Sequence, residues 1–332
     1  MAADARFGLK RVLVAVAALV LASGCSTVVS SGGPATDSTT PSGQPAATES
    51  ASGSPTATAA TRTTQPDPPP ASALTPPAGT GLSWRPAGMT VRGVPVTYVA
   101  TTAGGSIGLL WMDTAVLRFR FIPGFAIPEN TPVLPADRRP SSWVPWMAAA
   151  FNGGFKLSDG AGGYYYAGKV VRTLRPGLAA LTITNAGRIS VVKWGREQSS
   201  VANLLVVREN LPLLVDSYRA RTSPSDTART WGVANGGLSH ANRSALGQRA
   251  DGSVVFAFGA DVTPAAMAAA MVQVDARTAI ALDMNKSWPG GFVYSHHAGV
   301  ISGRRILSPI WHSPSVYYGP FTKDFVVALI QP

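Results

Sequence analysis

Three side chains interrupt apolar runs where a chain can be set up for chemistry. Asn152 follows Met147-Ala148-Ala149-Ala150-Phe151 and is itself followed by Gly153, Gly154 and Phe155. Arg243 lies in Asn242-Arg243-Ser244-Ala245-Leu246-Gly247, and Asp283 follows Thr278-Ala279-Ile280-Ala281-Leu282. An amide, a guanidinium and a carboxylate brought together suit a phosphorylated sugar. The guanidinium grips phosphate through two N–H groups, the carboxylate moves a proton or attacks, and the amide orients hydroxyls. Gly153 and Gly154, without Cβ atoms, would admit strained backbone or the close approach of a ligand. Each feature also has a plain structural use: the glycines as an ordinary turn, and Arg243 with Asp283 as a buried ion pair.

The elements that must aim these groups are mostly strands. Residues 94–100, 107–112 and 116–122 are rich in β-branched and aromatic side chains between Gly and Pro punctuation. Residues 181–184 and 189–192 flank Asn185-Ala186-Gly187-Arg188, a hairpin signal. A second hairpin joins 244–249 to 254–258 through Ala250-Asp251-Gly252-Ser253. One helix is expected over residues 265–274, buried on most faces, with Thr263 as its cap and Pro264 at its first position. Hairpin, crossover helix and strand then deliver Asp283 to a strand end. The fold class is α+β, mostly β, with few helices against a mixed sheet.

Other chemistries have weaker sequence support. The four histidines, His240, His296, His297 and His312, all fall late in the chain. Adjacent His296 and His297 point to opposite faces of a strand and lack a nearby carboxylate, so no metal site is expected. One of the histidines, with His296 the choice for the substrate site, would serve beside Asp283. No Gly-x-Ser-x-Gly elbow or phosphate-binding P-loop is present, no cofactor is expected, and the single cysteine leaves no thiol nucleophile in the domain. Asp159-Gly160-Ala161-Gly162-Gly163 reads as a surface loop or flap. Tyr164-Tyr165-Tyr166 and Trp288 offer faces for sugar stacking, or core.

Ahead of the domain, Arg6, Lys10 and Arg11 precede an apolar run that ends in Leu21-Ala22-Ser23-Gly24-Cys25. Residues 1–25 are expected to be a lipoprotein signal with Cys25 lipidated, which places the protein outside the cytoplasm on the bacterial membrane. Residues 26–80, built from Ser, Thr, Ala, Pro and Gly, are expected to be a disordered tether, and residues 81–332 a single globular domain. Residues 1–80 hold equal numbers of acidic and basic side chains, so the net charge of +11 belongs to the domain. A basic domain outside a cell favours anionic polymers such as phosphate-bearing glycans. Its basic residues are scattered, with no motif pairing them to stacking aromatics, so nucleic acid is not the expected partner. A monomer is expected.

In order, Asn-Gly-Gly-Phe, the Arg243-Ser244-Ala245-Leu246-Gly247 hairpin, a helix and Ala281-Leu282-Asp283 resemble the phosphodiester glycosidase family, roughly from Ala148 to Tyr294. The resemblance implies an α+β fold and hydrolysis of a sugar-1-phosphodiester bond, with Asn152, Arg243 and Asp283 matching the family's motif residues. The family follows its Asp with glycines and serines, whereas here Met284, Asn285, Lys286 and Ser287 follow. Glycines there would open backbone amides to a phosphate; in their place Asn285 and Lys286 are the expected contacts, Lys286 as a point charge. The alternative is a glycan-binding lipoprotein that keeps the fold without turnover.

Overall fold

A computed structural model describes residues 74–159, 162–223, 225–226, 230–232 and 239–330. The expected signal segment with Cys25, the expected tether up to residue 73, and Gly160 and Ala161 of the expected flap lie outside the described residues. All described residues fall in one compact unit, Gln65–Pro332.

The alternating runs form three sheets of five or more strands. The largest orders Arg85–Pro86, Thr97–Thr101, Ile107–Met112, Val254–Val262, Ala241–Gln248, Thr278–Met284, Val215–Asp216 and Arg219–Ala220. A second orders Ile189–Lys193, Ala179–Thr184, Leu204–Glu209, Tyr164–Tyr166 and Lys169–Arg172. The third places Met147–Asn152 at its centre, with Gly291–His297 and Val300–Arg305 on one side and Phe325–Ile330 and Leu117–Ile122 on the other.

Both expected hairpins are present: Ala179–Thr184 turns through Gly187 at φ 74° into Ile189–Lys193, and Ala241–Gln248 turns through Gly252 at φ 87° into Val254–Val262. The helix is Pro264–Gln273, and the Thr263 hydroxyl accepts from the Ala266 N–H at 3.1 Å. It buries one face rather than most of its surface. Met267, Ala270, Met271 and Val274 face inward at helical spacing, and Ala265, Ala266, Ala269 and Val272 face solvent.

The sheets are antiparallel rather than mixed. Every ladder between the described strands runs antiparallel, and parallel contacts are confined to two isolated bridges. The crossover helix does connect two parallel strands, Val254–Val262 and Thr278–Met284. Ala241–Gln248 lies between them and is antiparallel to both, so they never share a ladder.

Period-2 alternation assigns the largest sheet two buried faces. Leu110, Met112, Phe256 and Phe258 enter the main core between the sheets, while Leu109, Trp111, Val255 and Ala257 pack under the helix. Phe151, one residue before Asn152, stacks on Phe256 with ring centroids 5.0 Å apart, which locks the third sheet onto the first. Tyr164 and Tyr166 are fully buried in that core, and the Tyr166 hydroxyl donates to Asp137 at 2.8 Å. Of the two uses open to these tyrosines, sugar platform or core, they take the core. Residues 74–80 form no strand or helix, yet the Leu74 N–H donates to Asp113 at 3.2 Å and the Thr80 carbonyl accepts from Gln273 at 3.1 Å.

Candidate functional site

Two strand ends from different sheets meet around Ser244. Asn152 ends its strand in the third sheet, and its Nδ2 donates across to the Ser244 hydroxyl at 3.0 Å and to the Gly153 carbonyl at 2.8 Å. Its Oδ1 accepts the Gly290 N–H at 3.0 Å, and its own N–H donates to the Gly290 carbonyl at 3.1 Å. In the first sheet Ser244 sits opposite Asp283, and Arg243 opposite Met284. Register irregularities fall on both sides of this pair, between Ala241 and Arg243 toward one neighbouring strand and between Ser244 and Ala245 toward the other. A bulge re-aims side chains that strict alternation would send to opposite faces. Here Arg243, Ser244 and Asp283 all line one cavity, with Phe155, Trp231 and Met267.

Asp283 and Arg243 do not pair with each other. The buried Asp283 carboxylate is bound by the Lys323 ammonium and also accepts the Met284 N–H at 2.8 Å. Burial pushes its pKa above the ordinary carboxylate value, while Lys323 and the Met284 N–H pull the other way. Arg243 donates to the carbonyls of Val262 at 3.0 Å, Trp231 at 3.2 Å and Ser239 at 3.3 Å, and touches the Met284 sulfur at 2.9 Å. Burial lowers its pKa to about 10, so it stays charged at neutral pH. The cavity between them measures about 10 Å³, room for roughly one water.

The two glycines after Asn152 serve close packing inside the protein. Neither adopts a positive φ. A Cβ on Gly153 would lie 2.4 Å from Asp324 Cγ, and one on Gly154 2.6 Å from Asn210 Oδ1. The approaching groups are the protein's own side chains, where a ligand was expected. Asp324 pairs with Arg208 at 3.1 Å, both almost fully buried, and Asn210 donates to the carbonyls of Ala281 and Leu282 at 2.7 and 3.0 Å. Arg208 also donates to the carbonyls of Phe155 and Glu209. Lys323 and Asp324 thus bind carboxylate and guanidinium from two different sheets at the start of Phe325–Ile330.

The remaining expected contacts are scattered. Asn285 Oδ1 accepts from the Ser287 N–H at 3.0 Å and closes a local turn, and Lys286 is exposed, its carbonyl bound by Asn242 at 3.0 Å. His296 lies away from the site. Its Nε2 meets the carbonyl of Met147, at the opposite end of the strand from Asn152. Gly291 pairs with Phe151 beside the site, and His296 is carried five residues further along the same strand. The histidine near Asp283's partner is His312, whose ring packs 6.1 Å from Trp288, and Trp288 in turn lies over the Lys323 ammonium at 5.8 Å.

Lys323, Asp324, Arg208 and Asn210 were not singled out from sequence, although Arg208 and Asn210 carry the signal used for Asn152, a polar residue closing an apolar strand. Lys323-Asp324 directly precedes Phe325–Ile330, and Arg208-Glu209-Asn210 closes Leu204–Glu209. No group of three or more His, Cys, Asp or Glu placed to hold a metal occurs among the described residues, and none of their helices is long and apolar enough to cross a membrane.

A family model for phosphodiester glycosidases matches residues 147–283, from the first residue of the Asn152 strand to Asp283 itself, and the resemblance drawn from the motifs holds over that span. No curated protein matches the chain. Among solved structures the chain is similar to the catalytic domain of zebrafish N-acetylglucosamine-1-phosphodiester alpha-N-acetylglucosaminidase, auto-inhibited by its pro-peptide. That match has 14% identity and a TM-score of 0.42, covering 76% of this chain and 88% of that one. It is also similar to a hypothetical protein from Synechocystis, at 10% identity and a TM-score of 0.37 over 75% of this chain and 62% of that one. A Burkholderia pseudomallei protein named as exported matches at 13% identity and a TM-score of 0.32, over 71% and 75%.

Proposed function

We propose, from the phosphodiester glycosidase match over residues 147–283 and the charges that face its cavity, that the chain hydrolyses glycosyl phosphodiesters in envelope glycans. The observation that carries the reading is Arg243. It is a buried guanidinium held by carbonyls and a sulfur, with no carboxylate partner among the described residues, across one cavity from the buried Asp283. Such a cation keeps its charge available for an anion. A water-sized cavity excludes a sugar, so substrate entry requires the cavity to widen.

In the proposed reaction the oxygen of a water replaces the phosphate oxygen at the anomeric carbon, and the C–O bond to phosphate breaks. Asp283 takes the water's proton, and Arg243 stabilises the departing phosphomonoester. Asn152, its amide engaged by Gly290, Ser244 and Gly153, holds the wall in place. Methyl N-acetylglucosaminyl phosphate is the test substrate. Wild type is expected to release free sugar, Asp283→Asn to lower kcat by about 100-fold or more, and Arg243→Ala to lower kcat as well as raise KM, because it removes leaving-group stabilisation together with phosphate binding. Because burial raises the Asp283 pKa, activity should fall with decreasing pH above the ordinary carboxylate value of 3.8. No release by wild type, or equal release by Asp283→Asn, overturns the assignment.

The second reading, glycan binding without turnover, is favoured by one observation: Lys323 already occupies the Asp283 carboxylate. Binding without release of sugar would decide for it. Lipidation at Cys25 is proposed from the sequence pattern, and Cys25→Ala should move the protein from the membrane to the soluble fraction; retention there would refute the anchor.

A further inference from the structure

Above the Asp283–Lys323 pair lies a group of rings that the proposed hydrolysis does not use. Trp288 contacts His312 at 6.1 Å and Phe321 at 5.7 Å, and His312 and Phe321 meet edge to face at 5.4 Å. All three are only partly buried. Two exposed aromatics flank them: Trp311 precedes His312, and the Phe125 N–H is bound to the Phe321 carbonyl at 3.0 Å, each residue 67% exposed. Isolated exposed aromatics are ordinary, but a cluster of rings in mutual contact and partly open to solvent beside a polar site marks a binding surface.

We infer that this face is a subsite for a sugar ring of an anionic glycan. Sugar rings present an apolar C–H face and a belt of hydroxyls, and the patch supplies both complements. Trp288, Trp311 and Phe321 offer stacking surface. The His312 Nε2 is buried and has no hydrogen-bond partner among the described residues, so the ring acts by packing against Trp288 and Phe321 and holding them in place. The exposed Arg305 borders the patch, donating to the carbonyls of His312 at 2.8 Å and Trp311 at 3.5 Å, so the rim is cationic and carries N–H donors for hydroxyls. The inference shares with the proposed hydrolysis only the premise that the ligand is a glycan.

Uncharged oligosaccharides of glucose, mannose, galactose and N-acetylglucosamine, none carrying phosphate, test it by calorimetry and saturation-transfer NMR on the full chain. These probes offer no phosphodiester to cleave, so failure of stacking is read apart from failure of hydrolysis. At least one oligosaccharide is expected to bind at millimolar affinity or better. Trp311→Ala, exposed and remote from the core, should weaken it at least tenfold, with Trp311→Tyr retaining most of the affinity. Should Trp288→Ala prove unstable, Trp311→Ala and His312→Gln decide. Absence of binding by every probe, unchanged affinity in both of those variants, or binding of phospholipid vesicles in place of glycan overturns the inference.

Discussion

The Lys323 ammonium faces two different surroundings. Beneath it lie Asp283 and, through the neighbouring Asp324, Arg208, and none of these four residues is more than 4% exposed. Above it stands Trp288, in a group of rings whose outer members reach 67% exposure. The floor is carried by strand ends from all three large sheets, whose ladders fix the charges in place. The rim is carried by the connecting segments around Trp288, Trp311 and Phe321. Unpaired charge in the floor would be costly, whereas the rim can change side chains at little cost to folding.

That contrast breaks most sharply at Lys323. Lys323→Ala strands the Asp283 carboxylate in the interior and should cost about 3–5 kcal/mol, read as a lower urea midpoint at unchanged m. Trp311→Ala should stay within about 0.5 kcal/mol. If Lys323→Met with Asp283→Leu regains most of the loss, the penalty lies in the uncompensated charge. A loss for Lys323→Ala no larger than that for Trp311→Ala would dissolve the distinction.

Gly153→Ala probes the same floor by shape alone. Its Cβ would sit 2.4 Å from Asp324 Cγ, and the displacement should cost about 1–3 kcal/mol. A neutral result would mean that the packing against Asp324 does not require glycine. The smallest effect belongs to the rim. The folded His312 pKa lies below its ordinary value of 6.5 through burial and Arg305, so on acidification the unfolded chain takes the proton first. Stability should decline as pH falls from 6.5 toward the folded value, by only about a few tenths of a kcal/mol because solvent reaches the ring. His312→Gln should remove that slope, and a slope unchanged by the substitution would assign it to another group.

The sequence was most readable where structure is local. The Thr263 cap, Pro264 and the two hairpin turns act over a few residues, and each appears where residue chemistry put it. Strand ends with abrupt polar residues were also visible, which located Asn152, Arg243 and Asp283 around one serine. Their partners were not readable, because an ion pair such as Arg208–Asp324 joins residues 116 apart and nothing in either neighbourhood names the other. Lys323 beside Thr322 reads as a solvated strand start, since lysine is seldom buried unless paired. The mixed sheet failed for a related reason: the crossover helix is local, but the strand inserted between its two partners is known only from pairing.

The insertion of Phe325–Ile330 between Leu117–Ile122 and Met147–Asn152 bears on how the protein reaches this state. Both flanking strands are made long before the one that joins them, and contacts so distant in sequence close slowly. Until then a gap one strand wide leaves two apolar edges with unpaired amides and carbonyls, the surface on which chains cross-pair and aggregate. The same insertion brings in Lys323 and Asp324. A molecule in which this strand has not docked would expose those edges and lack its ionic floor together, and docking of the one strand would remedy both.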